Sequence, residues 1–419
     1  MARGDEDLIH DWNRSPRDET ETGGDRRLVE LHDETLRDGL QNPSVVDPPV
    51  ADKLEILHLL DAVGVHSADL GLPAAGPRAF DDVLRLCREV SSAKLSLHPA
   101  CAARTLEEDL RPVVEVSQRV GLPVEAMTFI GSSPIRQLAE QWSPELVRQR
   151  SVEAVRFAVR HDLPTTFVTE DTTRSRPEVL ADLFRAVIDE GARRLCLCDT
   201  VGHATPDGVR RLVAFTRRVV ADTGADVRID WHGHNDRGLG IANALVALEA
   251  GVDRLHGCVL GIGERVGNAP LDQLLVNLEL MGLHGPGDLR KLTALCHAVS
   301  RSTHFDIPDT YPVVGADAYR TGTGIHAAAI LKARDRGDTR LADRVYSAVP
   351  APMVGREQEI CVGPMSGASN VVHWLRGHGY APVPELVERI LNEAKRADRL
   401  LTHAELERLA SRHTRKVVG

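Results

Sequence analysis

Residues 194–223 have the sequence RLCLCDTVGHATPDGVRRLVAFTRRVVADT, and this stretch contains one complete unit of the fold. It begins with a short apolar run that ends at Asp199, which is typical of a buried strand. Pro206 then opens a longer segment in which Val and Leu recur at intervals of three and four residues, so an amphipathic helix is predicted. The unit is therefore a strand, a polar turn and a helix.

The same alternation extends from Leu28 to about Gly263. Strands that alternate with helices pair in parallel, and eight such units in about 250 residues predict a (β/α)8 TIM barrel. A doubly wound open sheet is the alternative. The predicted helices include Val50–Val63, Pro144–His161, Pro177–Glu190, Thr205–Thr223 and Leu239–Ala250. The eight β-prone runs are Leu28–Glu34, Ser67–Leu72, Lys94–His98, Val124–Ile130, Thr165–Glu170, Arg194–Asp199, Val227–His234 and Arg254–Gly261.

The regions outside this alternation differ from it in composition. Residues 1–27 are rich in Asp, Glu, Arg and Gly, which predicts a disordered polar tail, with a regulatory arm as the alternative. The barrel is assigned to residues 28–285. Residues 286–419 carry prolines between short segments and helical patterns at Pro384–Arg396 and Thr402–His413. They are predicted to form small, mainly helical C-terminal subdomains.

The composition excludes several classes of protein. Hydrophobic residues make up 42% of the chain and charged residues 27%, and the formal net charge of -10 disfavours nucleic acid and anionic membranes as partners. The sequence has no apolar run long enough to span a membrane and no signal-peptide core. Seven scattered cysteines fit a reducing cytoplasm, which is the predicted location. Cys196 and Cys198 are predicted to be small buried hydrophobes.

Polar residues cluster where the predicted strands end, which is where TIM barrels place their active sites. His232 and His234 are two residues apart on a strand, so both imidazoles face the same side. Strands seven, eight and one become neighbours when the barrel closes, so Asp38 and Asn268 are expected to converge with the two histidines. This mixture of oxygen and nitrogen ligands suits Mg2+, Mn2+ or Zn2+. Arg37 could stabilise a developing enolate oxygen or form a salt bridge at the barrel mouth.

Motifs for other chemistries are missing from the sequence. Gly261-Ile262-Gly263 lacks the spacing and the following acidic residue of a dinucleotide-binding loop. The chain has neither a Walker-type phosphate loop nor a Gly-x-Ser-x-Gly nucleophile elbow. We therefore expect neither a nicotinamide cofactor nor a serine nucleophile of that type.

Several motifs together resemble the metal-dependent condensing enzymes typified by 2-isopropylmalate synthase and homocitrate synthase, which are related to hydroxymethylglutaryl-CoA lyase. The resemblance covers nearly everything after the N-terminal tail, and the last barrel motif has the synthase form. The motifs are Thr35-Leu36-Arg37-Asp38-Gly39, Glu170-Asp171-Thr172-Thr173-Arg174, Asp199-Thr200-Val201-Gly202, His232-Gly233-His234-Asn235-Asp236, Gly261-Ile262-Gly263-Glu264-Arg265-Val266-Gly267-Asn268, Gly324-Ile325-His326 and Gly363-Pro364-Met365-Ser366-Gly367.

The resemblance implies a reaction and a role for particular residues. A Claisen-type condensation of acetyl-CoA with a 2-oxo acid would give an alkylmalate-type product. Arg37 and Thr200 would contact the oxo acid, and Glu170 with His326 would move a proton from the acetyl methyl group. Asp38, His232 and His234 would bind the divalent metal, with Asn268 as a further ligand or neighbour. The C-terminal element of such enzymes reaches into the neighbouring subunit's barrel, so a homodimer is expected.

Three departures from the family pattern lie around the expected oxo-acid pocket. Gln41 follows Leu40 where the synthases carry Glu before Gln, Met127 stands where they have a histidine, and His98 belongs to a turn that lacks their arginine. We therefore expect Gln41, Met127 and His98 to contact an acceptor other than 2-oxoisovalerate or 2-oxoglutarate. Preference for 2-oxoisovalerate over a broad panel of oxo acids would contradict this.

Two other functions remain open from the sequence alone. A carbon–carbon lyase is favoured by Leu40-Gln41-Asn42, but Glu264-Arg265-Val266 replaces the cysteine-containing loop of the lyase. A barrel that serves only as a binding scaffold should have lost a metal ligand or the base, and all of them are present. The chain stops after the second small subdomain, so no leucine-regulatory domain and no feedback by leucine through one are expected.

Overall fold

The architecture is a closed barrel of eight parallel strands, as seen in a computed structural model that describes residues 9, 10, 13 and 28–411. The predicted tail at residues 1–27 lies almost entirely outside the described residues. Strand β1 pairs with both β2 and β8, which closes the sheet. The TIM barrel prediction is confirmed, and the open sheet is wrong. The strands are β1 Glu30–Asp33, β2 Ser67–Asp69, β3 His98–Arg104, β4 Glu125–Gly131, β5 Thr165–Glu170, β6 Arg194–Asp199, β7 Arg228–Gly233 and β8 Arg254–Gly257.

Helices surround the barrel and bury one face against it. Many of them start at a proline, whose fixed φ suits the first helical turn. Helix α10 follows the eighth βα unit and packs against α1. The helices of this part are α1 Val50–Ala62, α2 Pro77–Ser92, α3 Glu107–Val120, α4 Pro134–Glu140, α5 Pro144–Arg160, α6 Pro177–Asp189, α7 Pro206–Thr223, α8 Gly240–Glu249, α9 Leu271–Leu280 and α10 Leu292–Thr303.

Three strand predictions were wrong at one or both ends, and the second strand stops at Asp69 instead of the predicted Leu72. The third strand was predicted at Lys94–His98, but β3 begins at His98 and continues to Arg104. Lys94 has a φ of 55°, which ends the preceding helix rather than extending a strand. The buried part of β3 is mostly small residues of weak β propensity, so packing in the barrel, and not local preference, makes it a strand. The eighth strand stops at Gly257, and Leu260, with a φ of 60°, lies in a tight turn.

The region after residue 285 is mainly helical, as predicted. The hydrophobic core of the barrel continues into it, because Leu295, Val314 and Val354 belong to that core. Two smaller apolar clusters follow, one around Ile330 and one around Leu375. The elements are β9 Arg320–Thr321, α11 Gly324–Asp335, α12 Thr339–Arg344, β10 Glu359–Ile360, α13 Ala368–Gly377, α14 Pro384–Arg396 and α15 His403–Ser411.

Across the residues that the structure describes, none of the helices combines the length and the apolar character that a membrane crossing demands.

A buried ion network fills the lower lumen of the barrel. Arg254 is 1% exposed and forms a bidentate pair with Glu125, at 2.7 Å and 2.9 Å. Its Nε donates to Asp230 Oδ2 at 2.9 Å, and Arg194 donates to the other oxygen of Asp230 at 2.7 Å. Burial opposes ionisation of Glu125, but the paired guanidinium outweighs it and lowers the pKa of that carboxyl to about 2. One arginine therefore holds strands β4, β7 and β8 together from the inside.

Arg254→Leu should destabilise the protein by about 3–5 kcal/mol at pH 7, because it leaves the buried carboxylate of Glu125 without its arginine and leaves Asp230 with Arg194 alone. A carboxyl whose pKa is lowered on folding contributes stability above its unfolded pKa and loses it as the pH falls toward the folded value. The difference between wild type and variant should therefore shrink as the pH falls from about 5 toward 2. Urea unfolding at several pH values measures it. Arg228→Leu, which removes an exposed arginine paired with Glu30, is the control and should cost no more than about 1 kcal/mol. Equal losses for the two variants would contradict the role of Arg254.

Candidate active site

A carboxylate and two imidazoles converge at the carboxyl ends of β1 and β7. Asp38 Oδ2 lies 3.3 Å from His232 Nε2 and 3.5 Å from His234 Nε2. All three side chains are buried, and their ligand atoms lie within 4.8 Å of one another. His232 is part of β7 and His234 follows it by two residues, so the alternation of the strand turns both rings to the lumen. The convergence predicted for these three residues is present in the structure.

The spacing of the ligand atoms in Asp38, His232 and His234 fits a divalent cation. Separations of 3.3 Å and 3.5 Å match adjacent ligands around an ion with bonds of about 2.0–2.2 Å. Asn268 is 1% exposed and bridges to His234 through the backbone, and its Oδ1 has no hydrogen-bond partner among the described residues. Its amide nitrogen donates to Ile262 O at 3.2 Å. The side-chain oxygen of Asn268 is therefore free to accept a contact, and the backbone bridge places this residue next to His234.

The glycines of the loop after β8 allow Asn268 to reach this position. Gly263 has a φ of 149°, and a Cβ there would collide with the Asn268 amide. Gly267 has a φ of 89°, and a Cβ there would collide with the carbonyl oxygen of Gly261. This is the physical reason for glycines at these positions of the Gly261–Asn268 motif.

The electrostatics of the triad favour positive charge. Burial opposes ionisation of Asp38, but Arg37 and the two histidines hold the pKa of its carboxyl below the usual range. Burial also opposes charge on His232, yet the neighbouring carboxylates of Asp38 and Glu34 raise its pKa. Burial and the neighbouring His232 lower the pKa of His234 to about 4, so this ring is neutral near pH 7 and available as a ligand. The ring of His232 lies between the carboxylates of Glu34 and Asp38, which favour its protonated form. A cation that binds at the triad would displace a proton from this ring.

Glu34 connects the triad to the interior of the barrel. Its Oε1 lies 3.6 Å from His232 Nδ1 and 3.0 Å from His256 Nδ1. Its other oxygen accepts a hydrogen bond from Arg37, whose Nε donates to Asp69 Oδ2 at 2.9 Å. Burial disfavours the charge of Glu34, but Arg37 and the imidazoles lower its pKa well below the usual value. Glu34 thus fixes both the ring of His232 and the guanidinium of Arg37.

Glu34→Gln should weaken divalent metal binding about 10- to 100-fold, the usual effect of removing a carboxylate that orients a metal-binding histidine. Titration of the metal-free protein with Mn2+ measures this effect without reference to turnover. Glu264→Gln is the matched control, because Glu264 lines the same cavity but pairs with Arg265. Unchanged Mn2+ affinity in Glu34→Gln would show that Glu34 does not orient His232.

A cavity of about 230 Å³ opens above the triad and contains most of the predicted substrate contacts. Arg37, Gln41, Met127, Glu170 and Thr200 all line it. The hydroxyl of Thr200 is held by the backbone N–H of Asp171 at 2.8 Å. Burial raises the pKa of Glu170, which favours proton transfer near neutral pH, although Arg136 opposes the shift.

His98 does not lie in this cavity, contrary to prediction. It is the first residue of β3, at the opposite end of the strand from the mouth, and its ring lies tilted against that of His66 with centroids 5.0 Å apart. The cause is the misplaced third strand: the residue of β3 that faces the cavity is Ala102. The strand ends at Arg104, so an arginine does stand at the end of strand three. Its guanidinium pairs with Asp109 at 2.7 Å.

His326 also lies outside the cavity of its own chain. It is in the first turn of α11, is exposed, and stacks on Tyr346 with ring centroids 3.9 Å apart. The structure of one chain therefore does not bring His326 to Glu170.

Several cavity residues were not found from the sequence. Phe129 and Val168 lie two residues from Met127 and Glu170 on the same strands, so strand alternation alone could have identified them. Cys196 and Cys198 are buried as predicted, and their side chains face the cavity. Burial raises the pKa of the Cys196 thiol, which keeps it protonated. The other residues missed are Glu34, Asp69, Ala102 and Glu264.

The fold and the site define a TIM-barrel protein with a cluster of one carboxylate and two imidazoles at the barrel mouth. The sequence model of the HMGL-like family matches residues 28–299, and the chain belongs to this family. It is 35% identical to the homocitrate synthase of Methanopyrus kandleri over 369 residues, which are 88% of this chain and 87% of the relative. It is 32% identical to the 2-isopropylmalate synthase of Pyrococcus furiosus, over 94% of this chain and 77% of the relative.

Among solved structures, the barrel resembles the hydroxymethylglutaryl-CoA lyase of Pseudomonas aeruginosa. The TM-score is 0.55 at 22% identity, and the match covers 66% of this chain and 93% of the lyase. At that level of identity the likeness concerns the fold. The family predicted from the motifs is confirmed.

Proposed function

We propose that this chain condenses acetyl-CoA, or a closely related acyl-CoA, with a 2-oxo acid. The methyl carbon of the acetyl group forms a bond to the ketone carbon, and water then cleaves the thioester. The products are a 2-hydroxy-2-substituted succinate and free CoA. The observation that carries the proposal is the presence of Asp38, His232, His234, Arg37 and Glu170 around one cavity. The synthase names of relatives that align over most of the chain support the same class of reaction.

Different residues of the cavity have different roles in this reaction. Asp38, His232 and His234, with Asn268 beside them, would hold the divalent cation, which when bound polarises the ketone as a Lewis acid. Arg37 is fixed by Glu34 and Asp69 and places its positive charge near the oxygen that becomes negative. Glu170 accepts or relays the proton that leaves the acetyl methyl group.

The cavity is smaller than the roughly 300–1,000 Å³ of pockets that bury a drug-sized ligand. It therefore suits a short oxo acid, and the CoA portion of the donor approaches from outside through the mouth.

The working unit in this proposal is a homodimer in which each barrel receives His326 of the other copy. Two exposed apolar surfaces support it. Ile325 is 76% exposed beside His326, and Met365, whose carbonyl accepts from Gly324 N, is 72% exposed. At the barrel mouth, Leu138 on α4 is 80% exposed and Val266 after β8 is 60% exposed. Burial of these surfaces against each other would remove apolar area from water and deliver His326 to Glu170.

Thiol release tests the reaction. Purified protein loaded with Mn2+ is mixed with acetyl-CoA and a panel of 2-oxo acids, free CoA is measured, and the product mass is determined. CoA release that depends on the oxo acid, with a product heavier by the acetyl-derived unit, is expected. Cleavage of hydroxymethylglutaryl-CoA without any condensation would contradict the proposal and favour the lyase. Release of free CoA at the same rate with and without an oxo acid would contradict the proposal as well.

A further inference from the structure

The cavity has two walls of different chemistry. Most of the charged groups lie on or just after β1, β2 and β7, with Glu170 at the end of β5 and Glu264 after β8, whereas Ala102, Met127, Phe129 and Val168 come from β3, β4 and β5. In a closed ring of eight strands, β3–β5 lie across the lumen from β7, β8 and β1. The four apolar residues therefore face the Asp38–His232–His234 triad. We name Ala102, Met127, Phe129 and Val168 the apolar wall.

The strand register makes the apolar wall continuous. Ala102 is paired with Met127, and Phe129 is paired with Val168 one layer nearer the mouth. Met127 is 3% exposed and Ala102 is 4% exposed, so the lower layer is closed to solvent. The apolar wall therefore lies opposite the place where the reacting carbons of an oxo acid bound at the triad would stand.

The cavity offers no free cation to a second anionic group. Among the described residues that line it, Arg37 is the one arginine or lysine. Its guanidinium already contacts three carboxylates: it pairs with Glu34, it donates to Asp69 at 2.9 Å, and it lies 3.8 Å from Asp38. The remaining charged lining residues, Glu170 and Glu264, are acidic. A carboxylate at the apolar wall would therefore be buried without a partner, which is strongly unfavourable.

We propose, on the basis of the proposed function, that the acceptor is a 2-oxo acid with a short, uncharged and mainly apolar side chain, and that the site rejects oxo acids with a distal carboxylate. This substrate class differs from the acceptor that a homocitrate synthase, such as the M. kandleri relative, requires, because homocitrate is formed from a dicarboxylic oxo acid.

Three oxo acids that differ in the group at the end of the side chain test this substrate preference, each assayed with the Mn2+-loaded enzyme and acetyl-CoA. 2-Oxopentanoate and 2-oxoglutarate have the same chain length and differ in a terminal methyl or carboxylate. The third, 5-methyl-2-oxohexanoate, replaces the distal carboxylate with an isopropyl group of similar shape. We expect kcat/KM for 2-oxoglutarate to be at least about a hundredfold below that for 2-oxopentanoate, with 5-methyl-2-oxohexanoate within about tenfold of 2-oxopentanoate.

A charge placed in the apolar wall provides a second test. Met127→Lys should raise kcat/KM for 2-oxoglutarate at least about tenfold over the neutral control Met127→Leu, and lower it for 2-oxopentanoate. Thermal unfolding checks that both variants fold. If Met127→Lys does not fold, the wild-type kcat/KM ratios for the three oxo acids decide whether the inference holds.

The outcomes separate this inference from the function on which it rests. Equal or better use of 2-oxoglutarate than of 2-oxopentanoate overturns the inference and leaves the condensation intact. Rejection of 5-methyl-2-oxohexanoate as strong as that of 2-oxoglutarate shows that size excludes both, and overturns the argument from charge. Failure of the folded, Mn2+-loaded protein to turn over any oxo acid overturns the proposed function and this inference with it.

Discussion

Asp38→Ala is expected to lower kcat/KM by at least about a thousandfold and to reduce bound divalent metal to background. The carboxylate is one of three ligand atoms within 4.8 Å, and it supplies the negative charge between the two histidines. Loss of Lewis-acid activation removes several kcal/mol of transition-state stabilisation, and each 1.4 kcal/mol is about a factor of ten. Metal content by elemental analysis and steady-state kinetics on the same preparation measure both effects.

Asp236→Ala is the matched control for this prediction. Asp236 follows His234 by two residues, but its side chain pairs with Arg265 at 2.8 Å. We expect this variant to keep its metal. Asp38→Ala enzyme that retained stoichiometric metal and near wild-type turnover would contradict the assignment of the site.

The second large effect concerns His326. His326→Ala should lower kcat about 10²- to 10⁴-fold, the range typical of a lost general acid or base. A hybrid dimer of one Asp38→Ala chain and one His326→Ala chain should regain about half of the wild-type activity, because one of its two sites combines an intact barrel with an intact His326 of the other copy. Co-expression with two different tags and tandem purification isolates the hybrid.

The hybrid experiment separates action between chains from action within one chain. If His326 acts on its own barrel, each chain of the hybrid carries one defect and the hybrid stays inactive. Each variant purified alone serves as the control and should stay inactive under either arrangement. An inactive hybrid of normal size would therefore contradict the proposed exchange of His326.

The barrel and the convergence of Asp38, His232 and His234 were predictable because they depend mainly on regular geometry. Alternation of short apolar runs and amphipathic segments gave eight units, and strand alternation places His232 and His234 on one face. Closure of the barrel brings β7 and β1 near each other, which is enough to unite the histidines with Asp38. The turn after β1, which carries Asp38, is the one irregular segment on which this convergence depends.

The residues that the sequence analysis misplaced or missed depend on packing and on contacts between distant parts of the chain. His98 was misplaced because β3 is built from small residues, and its strand state comes from packing between β2 and β4 and not from local propensity. Glu34 was missed because a carboxylate just after a strand has no local pattern that reveals its distant partners: His232 comes from β7 and His256 from β8. The role of His326 rests on a family resemblance, and a single chain does not place it at the site. The domain boundary at residue 285, the cytoplasmic location and the homodimer stay predictions.

The most direct test of the account is the position of a manganese ion in crystals grown with Mn2+ and 2-oxopentanoate. Anomalous scattering at the manganese edge should give one strong peak within about 2.0–2.4 Å of ligand atoms from Asp38, His232 and His234. A peak instead at the neighbouring cluster of His32, Glu34 and His256, or no peak at either place, would contradict the claim that this triad holds the cation that binds the oxo acid.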